Sequence, residues 1–430
     1  MYNFYYRQLD TTLRSVSKLL GTMVNDLPEG GRFYFNLARA MRSGGENYMF
    51  RHGEWSEPFK TSVLPQFNMP AYDPNFNLNF SDISDSRSLD IKKIINKTDR
   101  PVIVHWSGGI DSTVPMVSLL KNLTKEELSR VSIAMSSDSL LENPNFFNNF
   151  IKDKFKIFDS EGMLFNDYKE KYNAYCIMAD TGDCIFGSEL GNKLYPRMKF
   201  IQNDIGSLYH SVISKDVEYT VYKDIIIQYF NNNLKSAILQ LNQYSIFDKS
   251  ISEFLPGDEK FGELFYQKIV NNVKTSNVPI HSLHDFFWWT IFSGRYLFCA
   301  LRAPVAYSLG SNKELLINDC LIQWFNNDQY QLWSMNNNNN GKKIAGPTQG
   351  LYKIACKKYI FEFDKDEWYF HHKMKIVSSP NIIRRNWKKH FNEFDTVLGV
   401  DTNYNMINMG TPKVDNYVTN RLMKYKIDWC

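Results

Sequence analysis

The sequence predicts an α/β protein: a parallel sheet with helices on both faces, extended by a helical C-terminal half. Three observations predict it. Between residues 96 and 190, short β-branched or apolar runs alternate with stretches at helical spacing, the rhythm of βαβ units. A Ser-Gly-Gly turn at 107–109 joins the first run to the first helical stretch. That places the turn at the carboxyl edge of a parallel sheet, where ligands bind in such folds. From residue 191 on, Asn-rich and charged turns separate apolar stretches such as 225–230 and 261–270, and the pattern reads as mostly helical.

Residues 1–95 form an N-terminal accessory region whose role no motif assigns. Leu9, Leu13, Val16 and Leu20 have helical spacing, residues 26–31 read as a turn, and 33–41 fits strand or helix. Residues 53–87 are rich in Pro, Asn, Asp and Ser with scattered Phe. That composition predicts an extended connection packed by aromatics. The core follows. Val102, Ile103 and Val104 make a buried strand, and a helix is expected from 111 to 123. Pro115 suits that helix if it stands in the first turn, where a missing N–H costs little. Strands are expected at 131–135, 155–158 and 173–179, with a helix over 143–154 that starts at Asn143-Pro144. Further on, residues 285–302 read as a dense aromatic helix, better suited to a wall against the sheet than to base stacking. The Asn run at 336–340 reads as a mobile loop, either a lid over the site or an idle surface loop, and the basic, aromatic tail at 421–429 as an amphipathic tail or a partner contact.

The chain has 430 residues, which predicts two or three domains. They are taken as 1–95 and 96–430, the latter split into a nucleotide-binding core at 96–190 and a substrate-side portion at 191–430. Hydrophobic content of 43% and charged content of 22% are those of a globular protein. A net charge of +4 is too mild to argue for a polyanionic partner. None of the six cysteines has Cys-x-x-Cys spacing, so a zinc site is not expected and reduced, buried thiols are. The N-terminus reaches Asp10 without an apolar signal core, and no run approaches the ~20 apolar residues of a membrane span. A soluble, cytoplasmic protein with no membrane partner is expected.

Two stretches carry chemistry. In Ser107-Gly-Gly-Ile-Asp-Ser112, a strand, a tight turn and a helix N-terminus follow one another. Converging N–H groups and the helix dipole make such a turn an anion site. Ser107 and Ser112 add hydroxyls, and Asp111 adds a carboxylate able to hold a metal beside phosphates. In the second stretch, Asp180-Thr-Gly-Asp183-Cys-Ile-Phe-Gly187, two carboxylates follow another strand. They are expected at the same sheet edge, able with Asp111 to hold Mg2+ against a triphosphate.

The first stretch resembles the pyrophosphate loop of the ATP pyrophosphatase superfamily. The two together resemble the synthetase domain of asparagine synthetase and its relative β-lactam synthetase, which pairs Ser-Gly-Gly-x-Asp-Ser with a later Ser-Gly-Glu-Gly-(Ala/Ser)-Asp-Glu-Leu-Phe-Gly. Asp180 falls at that family's first acid, Asp183 at its metal-binding Asp, and Phe186-Gly187 at its Phe-Gly. Ala179 and Thr181 stand in place of its two glycines, and Cys184 in place of its second Glu. Asp328 faintly matches the Asp of a Pro-Phe-Leu-Asp segment. Residues 352–358 and 370–375 resemble the family's late helix and its Arg-x-Lys-x-Gly-Phe element, which makes Lys373 the phosphate-side lysine and His371 and His372 its flanking contacts.

The resemblance implies an adenine nucleotide alpha hydrolase-like sheet that binds ATP and Mg2+ through Ser107, Gly108, Gly109, Asp111 and Ser112. It implies an AMP-forming ligase that adenylates a small-molecule carboxylate, with Lys373 and Asp180 as catalytic residues. Glutaminases of one amidotransferase class start with a nucleophilic cysteine. Tyr2 stands at that position, so the nitrogen is expected to be free ammonia, an amine, or ammonia from a separate protein. Two other readings stay open here: adenylation of a nucleobase in RNA, DNA or a precursor, and nucleotide binding without catalysis. No motif points to a nucleic-acid partner.

Overall fold

The computed structural model describes residues 68–135, 143–160, 165–186, 276–280, 283–296, 317–336 and 353–373, with the single positions 139, 142, 223, 227, 263, 266, 270, 273, 274, 299, 300, 303 and 304. The readings made for residues 1–67, for Gly187, for the Asn run beyond 336 and for the C-terminal tail lie outside these residues. The apolar stretches 225–230 and 261–270 are described only at single positions.

The chain divides into two compact units. One is built from Leu78–Asp180, Leu316–Gln329 and Gln349–Cys430 and carries the sheet. Its described helices and strands run α1 (Phe80–Thr98), β1 (Val102–His105), α2 (Ile110–Asn122), β2 (Val131–Met135), α3 (Pro144–Phe146), β3 (Lys156–Asp159), β4 (Tyr175–Met178), β5 (Leu321–Gln323), α4 (Ile354–Asp364) and α5 (Glu367–His372), apart from a π-turn at Phe147–Ile151 and three single-turn helices that play no part below. The strand order is β3-β2-β1-β4-β5, and every pairing is parallel. Val102, Ile103 and Val104 are all at most 1% exposed although successive side chains point to opposite faces. Both faces of β1 are therefore covered, which is why the strand reads as an unbroken apolar run. An α/β fold with an all-parallel sheet was the expectation, and the sheet is of that class.

The order reverses at β1: one neighbour, β2, follows it in the chain, and the other, β4, comes much later. In an open parallel sheet, such a reversal leaves a crevice outside the carboxyl ends of the two central strands. The Ser107–Gly109 turn leaves β1 there, and Asp180 leaves β4 there.

Several elements differ from the sequence reading. The extended connection expected through Arg87 ends at Asn79, where α1 starts. Asn79 caps it by accepting from the Asp82 N–H at 2.9 Å. Phe80, Ile83, Ile91 and Ile95 then form its buried face. The helix runs across position 95, where the sequence reading divided the chain, and packs on α2. Arg87 fastens it to the end of β5 by donating to the Trp324 carbonyl at 3.2 Å. Strand β5 was not anticipated, because three residues are too few to show a period. Pro115 stands in the second turn of α2 rather than the first, and has no N–H to offer the Asp111 carbonyl one turn back. The helix expected over 143–154 is one turn of α-helix capped by Asn143, followed by a π-turn at Phe147–Ile151.

The junction of α3 and the π-turn sets two rings against Trp106. Phe146 and Phe147 stack on the indole at 6.1 and 6.4 Å between centroids, and Trp106 is fully buried. Its Nε1 donates to Thr113 Oγ1 at 3.2 Å. Trp106→Ala is expected to cost roughly 3–5 kcal/mol of stability, as for other fully buried large aromatics. Urea unfolding of the pure protein measures it. Trp106→Phe, which keeps the ring and loses the hydrogen bond, is expected to cost less.

The second unit is built from Met1–Asn77, Thr181–Leu315 and Tyr330–Thr348. Among its described residues, the helix Gly182–Phe186 packs on the helix Leu283–Gly294. Trp288 Nε1 donates to Ser334 Oγ at 2.8 Å, and Ser334 in turn donates to the Ile185 carbonyl. Trp288, Trp289, Phe292 and Tyr296 are all fully buried. These aromatics are core of the second unit, and none of the four presents a face for stacking a base. No helix among the described residues is long and apolar enough to cross a membrane.

Candidate functional site

The turn after β1 is braced from inside by Ser112. Its Oγ accepts from the Ser107 N–H at 3.1 Å and from the Ser107 hydroxyl at 3.0 Å, and donates to the Gly109 carbonyl at 3.1 Å. Thr113 Oγ1 donates to the same carbonyl at 2.9 Å. Ser112 is 6% exposed whereas Ser107 is exposed, so Ser107 is the serine presented outward. Gly109 is the N-cap of the 13-residue α2 and has no side chain with which to take the first-turn N–H groups. A helix that starts this way keeps those donors and its dipole for an anion.

Gly108 is required by shape. Its φ is +73°, and a Cβ there would lie 2.3 Å from the Ser139 carbonyl oxygen and 2.7 Å from Glu142 Cβ. The backbone after β2 thus passes directly over the turn, an approach open only to glycine. From the other side, the Tyr369 hydroxyl on α5 donates to the Gly108 carbonyl at 3.2 Å. Burial pushes the Tyr369 phenol well above its ordinary range, so it stays a donor.

Three lysines stand around this turn, and all are buried. Lys353, just ahead of α4, is 3% exposed and pairs with Asp111 Oδ2. Lys373, just after α5, is 2% exposed and pairs with Glu142 Oε2 at 2.8 Å. Lys357, one turn into α4, is fully buried. Burial, and next the nearby Lys373, pull its pKa down to about 8. The three ammonium groups give the turn the positive neighbours that a polyanion seat requires.

The Lys357 shift has a measurable consequence. Its folded pKa lies below the ~10.4 of an unfolded lysine, so between the two values the unfolded chain binds the extra proton. Lys357 therefore opposes folding most at pH 7, and that opposition fades as pH climbs from about 8 towards 10. Lys357→Met is expected to melt higher than wild type at pH 7, with the gap closing by pH 10. Paired thermal melts across that range check it.

Asp180 follows β4, on the strand beside β1, and is near enough to His105 to act on its charge. Burial pulls His105 down to about 4, against the raising influence of Asp180, so the imidazole is neutral at pH 7. Ser107, Gly108, Gly109, Asp111, Ser112, Lys373 and Asp180 thus belong to one unit at the end of the sheet where β1 and β4 finish. Asp183 opens the helix Gly182–Phe186, which belongs to the second unit. Asp328 is exposed at the start of the helix Asp328–Asn336. Cys176 and Cys184 are fully buried and their thiols are pushed well above the ordinary range, chiefly by burial. Neither has the thiolate character that a nucleobase-thiolating enzyme needs.

Sequence reasoning missed Lys353, Lys357, Glu142 and Tyr369. Lys353 and Asp111 are 242 positions apart, and no local pattern joins them. The one available signal was the resemblance read at residues 370–375, which pointed to Lys373 and so to its neighbours.

Asp111 already faces a cation, the Lys353 ammonium, and its hard oxygens suit Mg2+. Among the described residues, no group of three or more His, Cys, Asp or Glu is placed to hold a metal. Comparison of the chain with protein-family profiles, curated proteins and solved structures gave no match.

Proposed function

We propose that the chain is an ATP-dependent, AMP-forming ligase of the ATP pyrophosphatase type, similar to the synthetase domain of asparagine synthetase, with an adenine nucleotide alpha hydrolase-like sheet. One observation carries the reading. A Ser-Gly-Gly turn with Gly108 at φ +73° leaves β1 at the point where the strand order reverses, and buried lysines stand beside it.

On this reading, the turn's N–H groups, the Ser107 hydroxyl and Lys373 hold the β- and γ-phosphates. An oxygen of the substrate carboxylate attacks the α-phosphorus, and pyrophosphate leaves with the bridging oxygen. The product is an acyl-adenylate. Ammonia or an amine then attacks the acyl carbon, AMP leaves, and the amine loses a proton. Asp180 positions the amine or accepts that proton. Lys373 and the turn donors stabilise charge on the departing pyrophosphate, each contact worth on the order of a few kcal/mol. Mg2+ held by Asp111 and by the substrate phosphates would neutralise phosphate charge. Ser112 shapes the turn from within. Free ammonia, a bound amine or ammonia passed from a separate protein would each serve as the nitrogen donor.

The test is product analysis. Purified protein with ATP, Mg2+, ammonium and a panel of amino acids and other small carboxylates is expected to release AMP and pyrophosphate. ADP and orthophosphate as products would sink the reading.

A further inference from the structure

We propose that Glu142 is a built-in competitor for the anion seat over the Ser107–Gly109 turn, and that its carboxylate sets how tightly the seat takes a polyphosphate. This rests on reading the turn as a phosphate cradle. Glu142 Oε2 accepts from Lys373 Nζ at 2.8 Å, and Lys373 is 2% exposed. The same Oε2 would lie 3.5 Å from a Cβ on Gly109, and Glu142 Cβ 2.7 Å from one on Gly108. The Glu142 side chain therefore crosses the turn, with its Cβ at Gly108 and its carboxylate at Gly109, ahead of α2. A carboxylate oxygen and a phosphoryl oxygen ask for the same partners: an ammonium and N–H donors.

Two consequences of opposite sign follow. Without ligand, Glu142 offsets the charge of Lys373, which is buried next to Lys357. Removing the carboxylate leaves Lys373 inside with less compensation, and the fold loses stability. With ligand, a polyphosphate must take Lys373 from Glu142 and then sit beside its negative charge. Removing the carboxylate takes away both the competition and the repulsion. A glutamate that merely holds the turn in shape predicts weaker binding when it is lost. A competitor predicts tighter binding from a less stable protein.

Inorganic pyrophosphate is the probe, titrated calorimetrically into the full chain at fixed ionic strength with and without Mg2+. Glu142→Gln is expected to bind it about tenfold tighter than wild type or better, while its ligand-free melting temperature falls. Equal or weaker binding in a variant with wild-type circular dichroism overturns the proposal. Should Glu142→Gln fail to fold, Glu142→Asp decides, because it keeps the charge but withdraws it by one methylene. Tighter binding than wild type then supports the competitor, and equal or weaker binding overturns it. Pyrophosphate binding by wild type with no gain in either variant removes only the role of Glu142. Failure of wild type and variants alike to bind millimolar pyrophosphate removes the phosphate cradle and this inference with it.

Discussion

Gly108→Ala is expected to abolish nucleotide binding and to destabilise the sheet unit by a few kcal/mol, on the order of the combined cost of a strained backbone and an overpacked site. The reasons are local and independent. A residue at φ +73° pays for its Cβ even in open space. Here the space is not open: the Cβ would meet the Ser139 carbonyl oxygen at 2.3 Å, and that oxygen belongs to the backbone and cannot swing aside. Either the turn or the chain after β2 must move, and both border the proposed seat. Gly109→Ala is the informative contrast. Its φ is −72° and its Cβ would meet only the ends of side chains, Ser107 Oγ at 3.2 Å and Glu142 Oε2 at 3.5 Å. That variant is expected to fold with nearly wild-type stability. Denaturant midpoints and ATP titrations on the two variants measure the difference. A Gly108→Ala protein as stable as Gly109→Ala would show that the close approach at Ser139 is not tight.

Asp111→Asn has the second large effect, and it acts on folding and chemistry together. Asp111 pairs with Lys353, whose side chain is 3% exposed. Losing one member of a buried pair leaves the other's charge inside, at a cost of roughly 3–5 kcal/mol. Lys353→Met alone is expected to cost a similar amount. The double variant Asp111→Asn with Lys353→Met is expected to be more stable than either single one, because no buried charge is stranded. A double-mutant cycle by chemical denaturation reads the coupling. Formation of AMP is expected to be lost in Asp111→Asn and to stay lost in the double variant, since restoring the fold does not restore a metal ligand. Recovery of AMP formation in the double variant would show that Asp111 serves only to hold Lys353.

What the sequence disclosed follows from how local each signal is. Val102–His105 and Val131–Met135 were legible because a buried parallel strand shows as a short apolar, β-branched run. The turn between β1 and α2 was legible because its glycines and serines are consecutive. Helix α1 was missed although its start is written in four residues. Asn79 to Asp82 is an N-cap and an acidic first turn, set in a stretch whose Pro and Asn content pulled the reading towards loop. Strand β5 has no local signature at all, since pairing with β4 makes it a strand. The same holds for the lysines. In one dimension Lys353 and Lys357 look like surface residues of an amphipathic helix. Only the packing of α4 on α2 buries them beside the turn. Asp183 is the reverse case: resemblance joined it to Asp111, while the fold assigns the two to different units.

Exchange of labelled pyrophosphate into ATP tests the central claim most directly. It reports formation of an acyl-adenylate and its reversal by pyrophosphate without needing the nitrogen donor. The account predicts exchange that requires Mg2+ and one class of carboxylate, and that is lost in Asp111→Asn and Lys373→Met. Exchange of orthophosphate instead, or pyrophosphate exchange that persists without any carboxylate, would contradict it.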